Sequence, residues 1–71
     1  MPPRELWEHV PTGRKIVVET NEEGRVVGWY GDGDVESALE DAEIQLIPDC
    51  DEVNQARDEF RPIRKQRVRC S

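Results

Sequence analysis

The apolar positions of this 71-residue chain change period along its length. Residues 14–20 (Arg14-Lys15-Ile16-Val17-Val18-Glu19-Thr20) and 25–30 (Arg25-Val26-Val27-Gly28-Trp29-Tyr30) are rich in β-branched and aromatic side chains. Such residues suit the half-buried surface of a strand. Asn21-Glu22-Glu23-Gly24 lies between them, with Gly24 free to take the positive φ of a hairpin turn. Two-residue alternation pairs Ile16 with Val18 and Val27 with Trp29, and the four form the core face of the hairpin if both pairs lie on the same side. From residue 35 the period lengthens. Val35, Ala38, Leu39, Ala42 and Leu46 recur at i, i+3, i+4, i+7 and i+11, which predicts a helix over 35–47. Asp34 is placed to cap it, Glu36 suits the positive end of its dipole, and Pro48 stops it.

The two ends are less regular. Residues 2–10 fit a short helix, with Pro3 at its first position and Leu6, Trp7 and Val10 on one side, or an extended arm. Pro11-Thr12-Gly13 interrupts either one. Residues 51–60 fit a second helix, with Asp51 as cap and Val53, Ala56 and Phe60 at helical spacing, or a strand that pairs back onto the hairpin. Residues 63–69 read as a strand in which Ile63 and Val68 share a face only across a bulge. The expected fold is α+β: one domain over 1–71, in which a small antiparallel sheet (β-hairpin plus C-terminal strand) packs on one main helix. Residues 1–13 form an N-terminal arm or short helix, and 61–71 a basic C-terminal strand or tail.

Charge changes the picture more than hydropathy does. Charged residues make up 37% and apolar ones 35%, against about 25% charged in an ordinary soluble domain. A core this small contributes about 3–5 kcal/mol net, so a Rossmann unit, a barrel or a deep catalytic cleft is not expected. No apolar run approaches the roughly 18 residues of a membrane span. The opening Met1-Pro2-Pro3-Arg4-Glu5 lacks the apolar stretch of a signal peptide, so a cytoplasmic protein without membrane contact is expected. The net charge of −6 is unevenly spread: residues 1–18 carry +1, residues 19–59 carry −12, and residues 60–71 carry +5 from Arg61, Arg64, Lys65, Arg67 and Arg69. An acidic body repels nucleic acid and anionic lipid and attracts basic protein surfaces.

Familiar catalytic and metal patterns fit poorly. Cys50 and Cys70 read as a reduced pair, or as a disulfide closing a loop of about twenty residues, worth roughly 3 kcal/mol in the chain-entropy model. Zinc needs four ligands, and His9 stands far along the chain from both cysteines. Asp32, Asp34, Glu36 and Glu43 partly follow calcium-loop spacing, but Ser37 stands where that loop needs glycine. His9 has no sequence-fixed nucleophile or acid beside it, and Gly28, Gly31 and Gly33 do not form a phosphate cradle. No catalytic residue, metal or cofactor is therefore expected.

The sharpest candidate is the polar face of the 35–47 helix. Glu36, Glu40 and Glu43 fall at i, i+4 and i+7, with Asp41 beside them and Asp49, Asp51 and Glu52 just beyond. Carboxylates in a row can imitate a phosphate backbone and enter lysine- and arginine-lined channels; a merely solvated face is the plainer reading. Trp29 and Tyr30 are natural aromatic anchors for the same partner. The arginines of 61–69 either pair with the acidic body, which is the expectation, or bind nucleic acid themselves.

Two families show a similar order of hairpin, helix and basic end. Residues 15–69 resemble small phage-encoded inhibitors, namely anti-CRISPR proteins and bacterial RNA polymerase inhibitors, through Ile16–Tyr30, then Asp34-Val35-Glu36-Ser37-Ala38-Leu39-Glu40-Asp41-Ala42-Glu43, then the arginine-rich end. The acidic-turn hairpin followed by Gly33-Asp34-Val35-Glu36-Ser37-Ala38-Leu39 resembles HicB-like antitoxins, without their third strand and proline-rich loop. Both resemblances imply a non-enzymatic protein, monomer or homodimer, that blocks a partner in the bacterial cytoplasm by binding it. The inhibitor resemblance implies a basic, nucleic-acid-handling host complex as the partner. The antitoxin resemblance implies a toxin.

Overall fold

The computed structural model describes residues 4–41 and 43–65. The elements are β1 (Arg4–His9), β2 (Arg14–Thr20), β3 (Val26–Tyr30), α1 (Val35–Glu40), α2 (Asp51–Gln55), a 3-10 turn at Arg57–Glu59, and β4 (Phe60–Lys65). The four strands form an antiparallel sheet in the order β3-β2-β1-β4. The α+β class holds, but the expected single main helix is replaced by two short helices that cover opposite faces of the sheet. No helix among the described residues is long and apolar enough to cross a membrane.

The N-terminal segment is a strand, not a helix. Leu6 pairs with Val17 and Trp7 with Ile16. A nine-residue helix gains too few hydrogen bonds to offset its nucleation cost. As a strand, the segment sends Leu6 to one face and Trp7 to the other, and both are buried. A short apolar run does not by itself distinguish a helix from a strand; here Leu6 and Trp7 mark a strand buried on both faces.

Two-sided burial also resolves the hairpin. One core holds Trp7, Ile16, Val18, Val26, Cys50 and Val53; the other holds Leu6, Val17, Ala38 and Leu39. Val27 was expected beside Trp29 but is exposed, and Val26 takes the core position. The cause is a bulge: Glu19 pairs with Gly28 and Thr20 with Val26, leaving Val27 unpaired and reversing the parity beyond it. Gly24 adopts φ +82, as the turn requires.

The helix expected over 35–47 ends at Glu40. Asp34 caps it through bonds from the Ser37 backbone N–H (3.2 Å) and hydroxyl (2.9 Å). Those bonds, the backbone one foremost, hold the Asp34 carboxyl below the usual carboxylate range. At the other end Asp41 is extended, and its N–H closes the last turn on Ser37 O. Beyond it the chain runs beside β3 and exchanges two hydrogen bonds between Ile47 and Trp29, of 2.7 and 3.1 Å. A longer helix would leave this edge of β3 open. Half-buried Leu46 lies against Gly28, where any Cβ would come within 2.9 Å of Leu46 Cβ. Ala42 lies outside the described residues.

Residues 51–60 adopt the helical alternative and then a 3-10 turn, with β4 beginning at Phe60. In β4, Ile63 is the bulged residue and is exposed. Val68, Arg67, Arg69 and Cys70 lie outside the described residues, as does any Cys50–Cys70 pairing.

Candidate functional site

Burial of Arg4 shapes the surface around α1. Its side chain is 7% exposed, and its guanidinium donates to the carbonyls of Ala38 (2.8 Å), Asp41 (2.6 Å) and Ile44 (2.9 Å) and to Glu19 Oε1 (3.0 Å). The end of a helix leaves carbonyls without intrahelical partners, and a planar cation with several N–H groups can satisfy more than one. Arg4 thus ties the end of α1 and the following turn to the sheet. Sequence reading missed this role because nothing local marks an arginine as buried.

The expected row of carboxylates does not lie on one helix. Glu36 and Glu40 are on α1, but Asp41 caps its end and accepts the Glu43 N–H (2.9 Å), and Glu43 sits in the turn beyond. Glu36 is paired with Arg64 at 3.0 Å. Asp49, Asp51 and Glu52 lead into and begin α2, which covers the other face. Trp29 and Tyr30 point to opposite faces and are half-buried. The Trp29 indole donates to Asp49 O (2.8 Å). The candidate residues therefore form two groups: Glu36, Glu40, Asp41, Glu43 and Tyr30 on the α1 side, and Asp49, Asp51, Glu52 and Trp29 on the α2 side. All seven carboxylates are exposed.

The described basic end folds back onto two acids, one in the acidic body, as expected, and one in β1. Arg61 pairs with Glu8 (2.7 Å) and Arg64 with Glu36. Arg57 lies 5.4 Å from the Trp7 ring centroid and donates to Gly24 O.

The α2 face carries a groove that the sequence did not reveal. The five residues of α2 span about 7 Å, while seven-residue β2 runs about 23 Å, so α2 leaves one end of this face open. The groove has a volume of about 390 Å³ and is floored by Ile16, Trp29, Val53 and Phe60, within the range of ligand pockets. Asp49 and Glu52 line it from the α2 segment, and His9 and Arg14 from the β1–β2 hairpin. Neither Asp49 nor Glu52 forms an ion pair with another described residue.

His9 joins Thr12 Oγ1 (2.8 Å) and Glu59 Oε1 (2.8 Å) through its two ring nitrogens, and its ring centroid lies 4.9 Å from that of Phe60. The connectivity is that of a nucleophile, base and acid, but the surroundings are those of a latch. The Thr12 hydroxyl accepts the Arg14 N–H, and the N–H groups of Thr12 and Gly13 are both spent on His9 O, leaving no pair of local amide donors to stabilise an oxyanion. Cys50 is buried, with its thiol 3.7 Å from Ile47 O, and burial together with Asp49 and Asp51 pushes its pKa up, the opposite of an activated nucleophile. Among the described residues no three His, Cys, Asp or Glu side chains converge as a metal site. Comparison with protein-family models, curated proteins and solved structures finds no match to the chain.

Proposed function

We propose that the protein is a non-enzymatic inhibitor that binds a basic, nucleic-acid-handling protein of a bacterial host, in the manner of anti-CRISPR proteins and RNA polymerase inhibitors. One observation carries this reading. Every charged residue on α1, on α2 and in the segment joining them is acidic and exposed, and Glu36 alone among them pairs with a described cation. Unneutralised carboxylates on both sides of a thin sheet present a strong negative field, which speeds encounter with a cationic surface and rejects nucleic acid. Nucleic-acid binding through the basic end is the weaker reading, since Arg61 and Arg64 already face Glu8 and Glu36.

The test is capture of the partner from a bacterial lysate, followed by affinity measurement with a variant carrying Glu40→Gln, Glu43→Gln and Asp51→Asn. These side chains are exposed, so folding should be unchanged. Binding should weaken at least about tenfold, or roughly 1.4 kcal/mol, and nucleic acid should compete with the wild type. Unchanged binding without competition would remove the inhibitor reading. A toxin as the bound protein would replace it with the antitoxin one.

A further inference from the structure

We propose that the groove beside α2 receives a segment of the partner in which a large apolar side chain stands next to an arginine or lysine. The inference rests on the function proposed above and states where and how that partner is held. A surface that acted by charge alone would need no apolar floor. Here Ile16, Trp29, Val53 and Phe60 floor a groove of about 390 Å³, large enough to desolvate a leucine or an aromatic side chain. Interface energy concentrates in anchors of that kind, buried in pockets and ringed by polar groups.

Charge selects the neighbour of the anchor. Asp49 and Glu52 stand on the α2 side without a described cation, while Arg14 lines the hairpin side. A cation next to the anchor is attracted to the α2 side and repelled from the hairpin side, so the segment is held in one direction. Specificity arises from both the attraction and the repulsion. An acidic neighbour would meet Asp49 and Glu52 and be rejected.

Three capped peptides test the inference on the intact protein: acetyl-Gly-Arg-Leu-Gly-amide, the same peptide with glutamate for arginine, and the same peptide with serine for leucine. Trp29 indole and backbone amide shifts are followed by NMR. The arginine–leucine peptide should saturate at about millimolar concentration, with shifts at Trp29, Glu52 and Val53, and the other two should bind at least about tenfold more weakly. Ala56→Phe, which fills the groove from its half-buried rim, should abolish binding while leaving the melting curve intact. Glu52→Gln should weaken binding about threefold or more, and Glu40→Gln, on the other face, should not. Arginine–serine binding as tight as arginine–leucine would overturn the groove in favour of charge alone. Absence of a saturable shift at Trp29 up to about 10 mM would also overturn it. So would concentration-dependent self-association lost in Ala56→Phe, because the occupant would then be a second copy. If the peptides fail while the captured partner still depends on the carboxylates, the groove falls and the inhibitor reading stands. If the carboxylates do not matter to the partner, the inhibitor reading falls whatever the peptides do.

Discussion

Replacing Arg4 with methionine keeps the length of the side chain and removes its guanidinium. The Ala38 carbonyl then loses its buried charged donor, and the half-buried Glu19 carboxylate loses its cation. A hydrogen bond to a charged group contributes about 1.5–3 kcal/mol, and a buried acceptor left unpaired costs about 1–3 kcal/mol. The bonds to Asp41 O and Ile44 O are only partly buried and add less. Breaking a buried ion pair from one side costs about 3–5 kcal/mol, so about 3 kcal/mol is expected. That is most of the roughly 3–5 kcal/mol such a domain possesses. With a urea m-value of about 1 kcal/mol/M, the midpoint should fall by about 3 M or the folded baseline should vanish. Two milder variants keep the test informative if it does. Arg4→Lys retains the charge but concentrates it at one nitrogen, which cannot reach three carbonyls and a carboxylate together, and should lose about half as much. Glu19→Gln leaves the carbonyls satisfied and should lose about 1 kcal/mol. In Arg4→Lys, hydrogen exchange should accelerate at Asp41 and Ile47, whose N–H groups bond to Ser37 O and Trp29 O, before it does at Val17. A methionine variant within 1 kcal/mol of wild type, or a lysine variant as damaged as the methionine one, would refute the role given to Arg4.

Three further outcomes follow from the same contacts. The Asn54 side chain accepts the Val26 N–H and donates to Val26 O, both at 3.0 Å, so it completes the edge of β3 as a neighbouring strand would; Asn54→Asp cannot donate and should cost about 2 kcal/mol in urea melts, and a neutral result would mean that the edge needs no cover. The lowered pKa of Asp34 means that its cap is fully formed above the pKa of the unfolded chain and is lost as pH falls through the folded value; the Ser37 amide shift should titrate below the usual carboxylate range, and a midpoint within or above that range would contradict the cap. Arg64→Ala breaks an exposed pair with Glu36 and should cost no more than about 0.5 kcal/mol in low salt, fading in high salt; a larger, salt-independent loss would place Arg64 in the core instead.

How much of this was legible in the sequence depends on how local each determinant is. The hairpin of Ile16–Tyr30, the Gly24 turn and the Asp34 cap were readable, because neighbouring residues alone set them. The start of α1 was legible but its end was not. The stripe through Ala42 and Leu46 continues the helical period, yet the chain leaves the helix because Arg4, more than thirty residues earlier, takes the carbonyls of Ala38, Asp41 and Ile44. The same non-locality hid β1. Leu6 and Trp7 look like one helix face until the sheet is known to be covered on both sides. The acidic surface was visible in composition, but its division between two faces follows from the length of α1. The groove follows from the shortness of α2, and no motif encodes that.

The placement of the cations explains how so acidic a chain can fold and still present its acids outward. A net charge of −6 on 71 residues opposes compaction by self-repulsion. The four arginines with the most specific contacts are spent within the fold: Arg4 on the turn after α1, Arg57 on Trp7 and the Gly24 carbonyl, Arg61 on Glu8, and Arg64 on Glu36. Three of the four bind at the sheet or across its edge. None reaches Glu40, Glu43, Asp49, Asp51 or Glu52 among the described ion pairs. Glu36 and Asp41 thus serve the fold as well as facing solvent, whereas Glu40, Glu43, Asp49, Asp51 and Glu52 face solvent without pairing a described cation. Salt accordingly acts on them with opposite sign. Screening relieves the repulsion among the outward acids, which favours the folded chain, and it would weaken their attraction for the cationic partner proposed above. Those five acids can be neutralised without breaking an ion pair among the described residues, so stability can be varied separately from the binding proposed above.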